Sequence, residues 1–349
     1  MAFTSSGKEW RSCLTNRRKA KWQVIIVLIF LSASLSAAVY TLSVHSPPAP
    51  SMSASKTLAP HQRIVVTEDG EFTAPGTGTG CECVREGYGN SSHPFVISGW
   101  ELSASDGDGI SIAWTTAHFI ILNVRVNGTG RYGGVVLTAV ENGKILNSSL
   151  SGCSSAIYVW KSSHIIIANN TVSHSEFGIM LEASNNNGVI GNKSHNNHQV
   201  GIFVRASDNV IDGNLVSDGS FGGINVDGTA GFGGDNQITN NVVRQNLQYG
   251  IGLWHALANH ISGNAVSGNG GAGIMLTDSS ANNSIENNQV TNNGADGILI
   301  AEQSSANRVV RNIVTGNGNA VTTFDLHDES LDNIWLDNVF NTRKPGTIN

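Results

Sequence analysis

The sequence predicts an all-β protein, a parallel β-helix of about ten coils behind one N-terminal transmembrane or signal helix. Three observations predict it. A glycine followed by alternating apolar residues recurs every 22 to 27 residues from Gly109 to the C-terminus. Asparagines fall in columns whose spacing is more regular than the coil length. Composition agrees: 40 glycines and 38 asparagines make up more than a fifth of 349 residues, with only 7 prolines and 13% charged residues. Collagen is excluded because the glycines do not fall every third residue, and a coiled coil because the apolar runs are short and β-branched.

Taken in chain order, residues 1–23 read as a basic cytoplasmic tail, with Lys8, Arg11, Arg17, Arg18, Lys19 and Lys21 against Glu9 alone. The apolar run 24–44 is long enough to span a bilayer, and its basic flank would stay inside, which places the rest extracytoplasmically. A cleaved signal peptide, with Ser36, Ala37 and Ala38 as its small-residue site, is the competing reading and would make the protein secreted. The long basic region and long apolar run favour the anchor. Residues 45–63 are rich in Pro, Ser and Ala and read as a tether. Residues 64–104 are expected to cap the open end of the solenoid, and 105–349 to form the β-helix with its own C-terminal cap.

Charge narrows the partners. The whole chain carries −6 and residues 1–23 carry +5, so the remainder carries −11. Nucleic acid is excluded as a partner, because phosphates need a contiguous basic surface. Of the four cysteines, Cys81, Cys83 and Cys153 fall on the oxidising side of the apolar run, so one disulfide and one free thiol are expected. Cys81 and Cys83 are also weak candidates for half of a soft-metal site for copper.

The repeat has two marks. Its glycine-led quartets begin at Gly109, Gly134, Ala156 (in place of glycine), Gly178, Gly201, Gly223, Gly250, Gly273 and Gly297, with a degenerate tenth, TFDL, at 323. One asparagine column runs Asn192, Asn214, Asn241, Asn264, Asn288, Asn312, Asn338. A second lies five residues earlier in each coil, from Asn187 to Asn333, and a third five residues later, from Asn197 to Asn317. Alternation along each quartet is that of a strand, and asparagine suits the left-handed corners between strands. One coil cannot bury its own apolar face, so the fold exists only as a stack with strands about 4.8 Å apart.

This pattern resembles the parallel β-helix repeats of the carbohydrate-binding and sugar-hydrolysis type, including the NosD-like periplasmic proteins linked to copper-enzyme maturation, over residues 105–341. The resemblance, with the rule for parallel crossovers, implies a right-handed helix. It also implies a function among polysaccharide lyases, uronate epimerases, hydrolases and proteins without known activity. The DPH catalytic signature of some mannuronan epimerases is not present in this sequence.

Alternation and stacking together place outward residues in columns. The first is read as Ser111, Val136, Tyr158, Met180, Phe203, Asn225, Gly252, Met275, Leu299 and Asp325. The second is Ala113, Thr138, Trp160, Glu182, Arg205, Asp227, Trp254, Thr277, Ala301 and His327. In its middle, Glu182, Arg205 and Asp227 stand on consecutive coils between Trp160 and Trp254, with Tyr158, Phe203, Lys161 and His255 nearby. Aromatic faces beside carboxylates and a guanidinium suit a polysaccharide, whose ring C–H faces pack on aromatics while polar groups hold its hydroxyls. Three chemistries fit. Glu182 and Asp227 are spaced for inverting glycoside hydrolysis. Arg205 with His255 or Lys161 as base suits lyase or epimerase chemistry on a uronate. The plain alternative is a Glu–Arg–Asp ladder that balances charge on a non-catalytic surface rod. Calcium has weak candidates in Asp106 to Gly109 and in Asp227 to Asp235.

Overall fold

A computed structural model describes residues 58–72, 81–330, 332–345 and 348. The expected cytoplasmic tail, the segment 24–44 and most of the tether lie outside the described residues. No helix among the described residues is long and apolar enough to cross a membrane.

The chain winds into a solenoid of three long sheets. The first has 12 strands and starts at Ala59–Pro60, the second has 11 and starts at Ile64–Val66, and the third has 12 and starts at Val84–Glu86. A typical coil runs through Phe177–Glu182 in the second sheet, Gly188–Ile190 in the third and Lys193–His195 in the first, before re-entering the second at Val200–Arg205. Neighbouring coils pair in parallel register throughout, except that Val84–Glu86 lies antiparallel to Phe95–Ser98. Inward residues form one continuous core from Ile64 to Ile348, almost all of them fully buried.

The quartet glycine is needed because the coils approach closely there. A Cβ on Gly250 would overlap Val266 and stand 2.6 Å from the Gly273 carbonyl oxygen of the next coil.

The asparagines divide their expected work between two residues. Those in the ladders, such as Asn241, Asn264 and Asn288, are about 99% buried or more and point inward. The left-handed corner is made by the residue just before: Asn240 (φ 54°), Gly263 (φ 66°), Asn287 (φ 55°). Along most of each ladder the oxygen accepts the backbone N–H and the side-chain Nδ2 of the asparagine one coil earlier, as Asn264 does for Asn241 at 2.9 and 3.0 Å. The left-handed residue turns the chain, and the next side chain falls inside, where only a group with both donor and acceptor satisfies the buried corner amides.

Both ends are closed with side chains. Residues 58–63, expected to belong to the tether, already supply a strand: Ala59 pairs with Trp100. Phe72, on a 3-10 turn at Asp69–Phe72, stacks on Phe95 (4.8 Å between centroids) and on Phe119 (5.8 Å). At the other end the tenth quartet is not TFDL but Asp325-Leu326-His327-Asp328, because Ile298 pairs with Leu326 and Leu299 with His327. The longer loop after Asn317 shifts the register by two. His327 therefore closes the first outward column, and Asp325 leaves it for the glycine position. There the Asp325 carboxylate ends the third asparagine ladder, accepting Asn317 N and Nδ2 at 2.9 Å each, and Asn341 and Thr342 N–H on its other oxygen.

Candidate functional site

Through the middle of the second sheet, strand register bears out the predicted columns. Trp160 pairs with Glu182, Glu182 with Arg205, and Asp227 with Trp254, while Tyr158, Met180, Phe203, Asn225 and Gly252 follow one another alongside. These residues are outward and mostly half-buried, since wide side chains on adjacent coils cover one another.

Arg205 is the centre of the arrangement. Its Nη1 donates to Glu182 Oε1 at 3.1 Å, and its Nε and Nη2 donate to Asp227 Oδ2 at 3.1 and 2.9 Å. Tyr158 OH donates to Glu182 Oε2 at 2.7 Å, and Thr229 N–H donates to Asp227 Oδ1 at 2.9 Å. The insertion Gly228–Gly234 therefore closes on Asp227 through its second residue. Burial raises the Asp227 carboxyl, but the Thr229 hydrogen bonds and Arg205 outweigh it and hold the group below its ordinary value. Burial, then the hydrogen bond and charge of Glu182, push the Tyr158 phenol up, with Arg205 working the other way.

A depressed carboxylate stabilises the fold above its unfolded pKa, and that contribution is lost as pH falls through the folded value. Asp227→Asn is therefore expected to lower the Tm at pH 7 and to narrow its difference from the parent as pH drops below about 4, the ordinary carboxylate range. Thermal unfolding of both proteins across that interval checks this; parallel Tm curves would refute it.

The aromatic residues are placed by small neighbours. A Cβ on Gly252 would overlap the Trp254 ring and lie 3.0 Å from Tyr249, and a Cβ on Gly222 would overlap Tyr249 itself. Trp254 therefore lies back over Gly252 against Tyr249, with centroids 4.8 Å apart. Lys161 and His255 occupy left-handed corners (φ 50° and 52°). The Lys161 ammonium stands over the Trp160 ring, 4.4 Å from its centroid. The His255 side chain is exposed, and neither predicted base hydrogen-bonds or ion-pairs with the side chains of Glu182 or Asp227.

Sequence reasoning missed a third outward column, made by the residue just before each quartet: Ser155, Phe177, Val200, Gly222 and Tyr249. Phe177 packs on Phe203 (5.8 Å) and Tyr249 on Phe221 (5.5 Å). Strict alternation would place these residues inside: the quartet glycine and the residue after it both face inward, and that break in the period of two, which no sequence signal marks, turns the residue before them outward.

The metal candidates are corrected. Cys81 and Cys83 are joined in a disulfide, which takes both sulfurs as ligands, and Cys153 is the buried free thiol. Burial and then the charge of Asp108 push that thiol up to about 12, leaving it protonated. Asp108 accepts Gly133 N–H and Asp227 is held by Arg205, so both calcium candidates spend carboxylate oxygens within the fold. No group of three or more His, Cys, Asp or Glu that would hold a metal is present among the described residues. A separate cleft of about 270 Å³ lies at the corner between the first and second sheets, lined by Gly128, Gly152, Cys153, His174, Glu176 and His198.

A family model described as right handed beta helix region matches residues 87–233 and 189–338. No curated protein matches the sequence significantly. Among solved structures the chain resembles the A-module of mannuronan C-5 epimerase AlgE6 of Azotobacter vinelandii, with TM-score 0.59 and 14% identity over 72% of this chain and 78% of that one. It also resembles the AlgE4 A-module of the same organism, with TM-score 0.59 and 14% identity over 75% and 84%. The periplasmic alginate epimerase AlgG follows at TM-score 0.53 and 15% identity, over 74% and 80%. At such identities the likeness is one of fold.

Proposed function

Because this chain belongs to the right-handed β-helix family, we propose that it binds a polysaccharide laid along the second sheet between Trp160 and Trp254, held outside the cytoplasm by the segment 24–44. The observation that carries the reading is the in-register succession of Trp160, Glu182, Arg205, Asp227 and Trp254 on five consecutive coils, with Tyr158, Phe203 and Tyr249 alongside. Coils about 4.8 Å apart offer one set of contacts after another to a polymer, and aromatic faces flanking polar groups are what sugar rings need. The neighbours with this fold are named for epimerisation of mannuronan and alginate, which supports a glycan as the ligand class.

Binding is favoured over turnover. Hydrolysis needs one carboxyl that keeps its proton at the working pH, whereas Asp227 is pulled down and both Glu182 and Asp227 are ion-paired to Arg205. Lyase or epimerase chemistry needs Arg205 free for a uronate and a base close by. Its Nε, Nη1 and Nη2 each already donate to Glu182 or Asp227, and His255 takes part in none of those bonds. The copper alternative loses its ligands to the Cys81–Cys83 bridge.

Affinity electrophoresis of the purified full chain through gels cast with soluble polysaccharides tests the reading. Retardation by at least one glycan, abolished in the Trp160→Ala/Trp254→Ala double variant, is the expected result. Free migration in every gel, or equal retardation of parent and variant, would leave a structural rod.

A further inference from the structure

We propose that two copies of this chain pair face to face through the third sheet, as an antiparallel two-fold dimer centred between the coils of Ile166 and Gly188. The glycan reading concerns the second sheet, a different side of the solenoid, so the two stand or fall separately.

The starting point is an aliphatic stripe. Five successive strands of the third sheet pair in unbroken register from Phe119–Leu122 to Val210–Asp212. Their outward positions form two columns. One reads Ile120, Lys144, Ile166, Gly188 and Val210, and the other Leu122, Leu146, Ala168, Ile190 and Asp212. A sheet face turned to water is ordinarily polar, yet here Lys144 and Asp212 alone are charged or polar. No described strand packs over this face. From Gln237 onward the same columns turn polar, with Thr239, His260, Ser262, Ser284 and Glu286. The apolar stretch is therefore local and not a habit of the repeat, and contiguous apolar surface of this kind marks a docking site.

Shape and charge select a second copy as the occupant. A two-fold axis lying along the strands, between the coils of Ile166 and Gly188, brings Ile166 opposite the partner's Gly188 and Ile190 opposite the partner's Ala168. Large side chains then face small ones, as close packing between layers requires. A Cβ on Gly188 would come within 3.2 Å of both Ile166 and Ile190, so the glycine leaves a dimple between two isoleucines. The same axis sets Lys144 opposite the partner's Val210, two residues along the strand from the partner's Asp212, and symmetry repeats the contact.

Both charged groups are available for it. Lys144 is exposed and enters no ion pair or side-chain hydrogen bond among the described residues. Asp212 Oδ1 accepts Thr239 Oγ1 at 2.6 Å and Asn240 Nδ2 at 2.8 Å, while its Oδ2 accepts no hydrogen bond among the described residues. An axis along the rod would also set large against small, but it would place Lys144 beside the partner's Lys144 and Asp212 beside the partner's Asp212. Charge therefore decides for the antiparallel arrangement. With its corner residues the face covers on the order of 400 Å² per copy, against roughly 800 Å² for a standard stable complex, so the dimer is a weak one, half-formed at roughly tens of micromolar.

Sedimentation equilibrium of the full chain in density-matched detergent tests the inference, read as the dimer dissociation constant. Ile166→Asp, at an outward position that leaves the core intact, is expected to weaken association roughly tenfold or more, because it buries an unpaired charge. Thr291→Asp, which adds the same charge on the first sheet, is expected to change it by less than about twofold. Lys144→Asp and Asp212→Lys are each expected to weaken it roughly fivefold, and the double reversal Lys144→Asp/Asp212→Lys to return it to within about twofold of the parent. Circular dichroism checks that every variant is folded. A parent that stays monomeric up to roughly 1 mM would overturn the inference. Association that survives Ile166→Asp would overturn it too, by assigning the contact to the segment 24–44 or to another surface. Equal losses from Ile166→Asp and Thr291→Asp would do the same, as repulsion by added charge alone. Single reversals that weaken the dimer without recovery in the double variant would overturn the pairing of Lys144 with Asp212 and the antiparallel arrangement with it.

Discussion

Replacing Asn293 with alanine is expected to cost about 3–5 kcal/mol of stability, while Asn292→Gly, one residue earlier, changes it by less than about 1 kcal/mol. The two residues are adjacent, identical and opposite in role. Asn293 is buried, and its Oδ1 accepts Asn269 N and Nδ2 at 3.0 and 2.9 Å, while its Nδ2 donates to Val266 O at 3.3 Å and Asn317 Oδ1 at 2.8 Å. Truncation takes a partner from donors and acceptors on the two flanking coils, and none of them can reach water. Asn292 is exposed, sits at φ 56°, and has no side-chain hydrogen bond among the described residues. Glycine accepts that conformation without a Cβ penalty. Urea unfolding midpoints of the two variants decide the matter. Similar shifts would show that the ladder is ornament on a fold carried by its apolar core.

Trp254→Ala is expected to weaken glycan binding roughly 30-fold, from about 2 kcal/mol of lost ring contact and buried area, with little change in Tm. The ring is half-exposed and rests on a neighbouring glycine, so removing it opens no internal cavity. A subtler variant separates the ring's presence from its placement. Gly252→Ala keeps Trp254, but its Cβ occupies the space where the ring lies. Gly252 is not in the left-handed region, so alanine is accommodated by the backbone and the ring must swing away. Its affinity is expected to fall several-fold with the fold unchanged by circular dichroism. Parent-like affinity in both variants, measured by calorimetry on whichever glycan retards the chain, would take Trp254 out of the binding face.

Legibility differed from element to element. The pairing of Glu182 with Arg205, and of Asp227 with Trp254, was readable because register in a stack of parallel coils is counting: equal steps from one glycine bring equivalent residues together. Counting failed at the last coil, where two extra residues before Asp325 moved His327 into the neighbouring column, and no local pattern marked the slip. It also merged two asparagine roles, since propensity shows that asparagine tolerates a left-handed corner but not that Gly263 turns the chain while Asn264 fills the inside. Tyr249 went unnoticed because it precedes the quartet glycine, outside the motif used to align the coils.

The sequence by itself determined the winding, the core and the order of residues along the outward face, because each follows from a period of two within strands and a repeat between coils. Only the tertiary structure decided that Arg205 is spent on two carboxylates, that Trp254 lies down on Gly252, and that Cys81 and Cys83 bridge each other. Those outcomes depend on which side chains from different coils compete for the same few ångströms. Such competition is settled by volume and hydrogen-bond geometry in three dimensions, and it leaves no periodic trace along the chain.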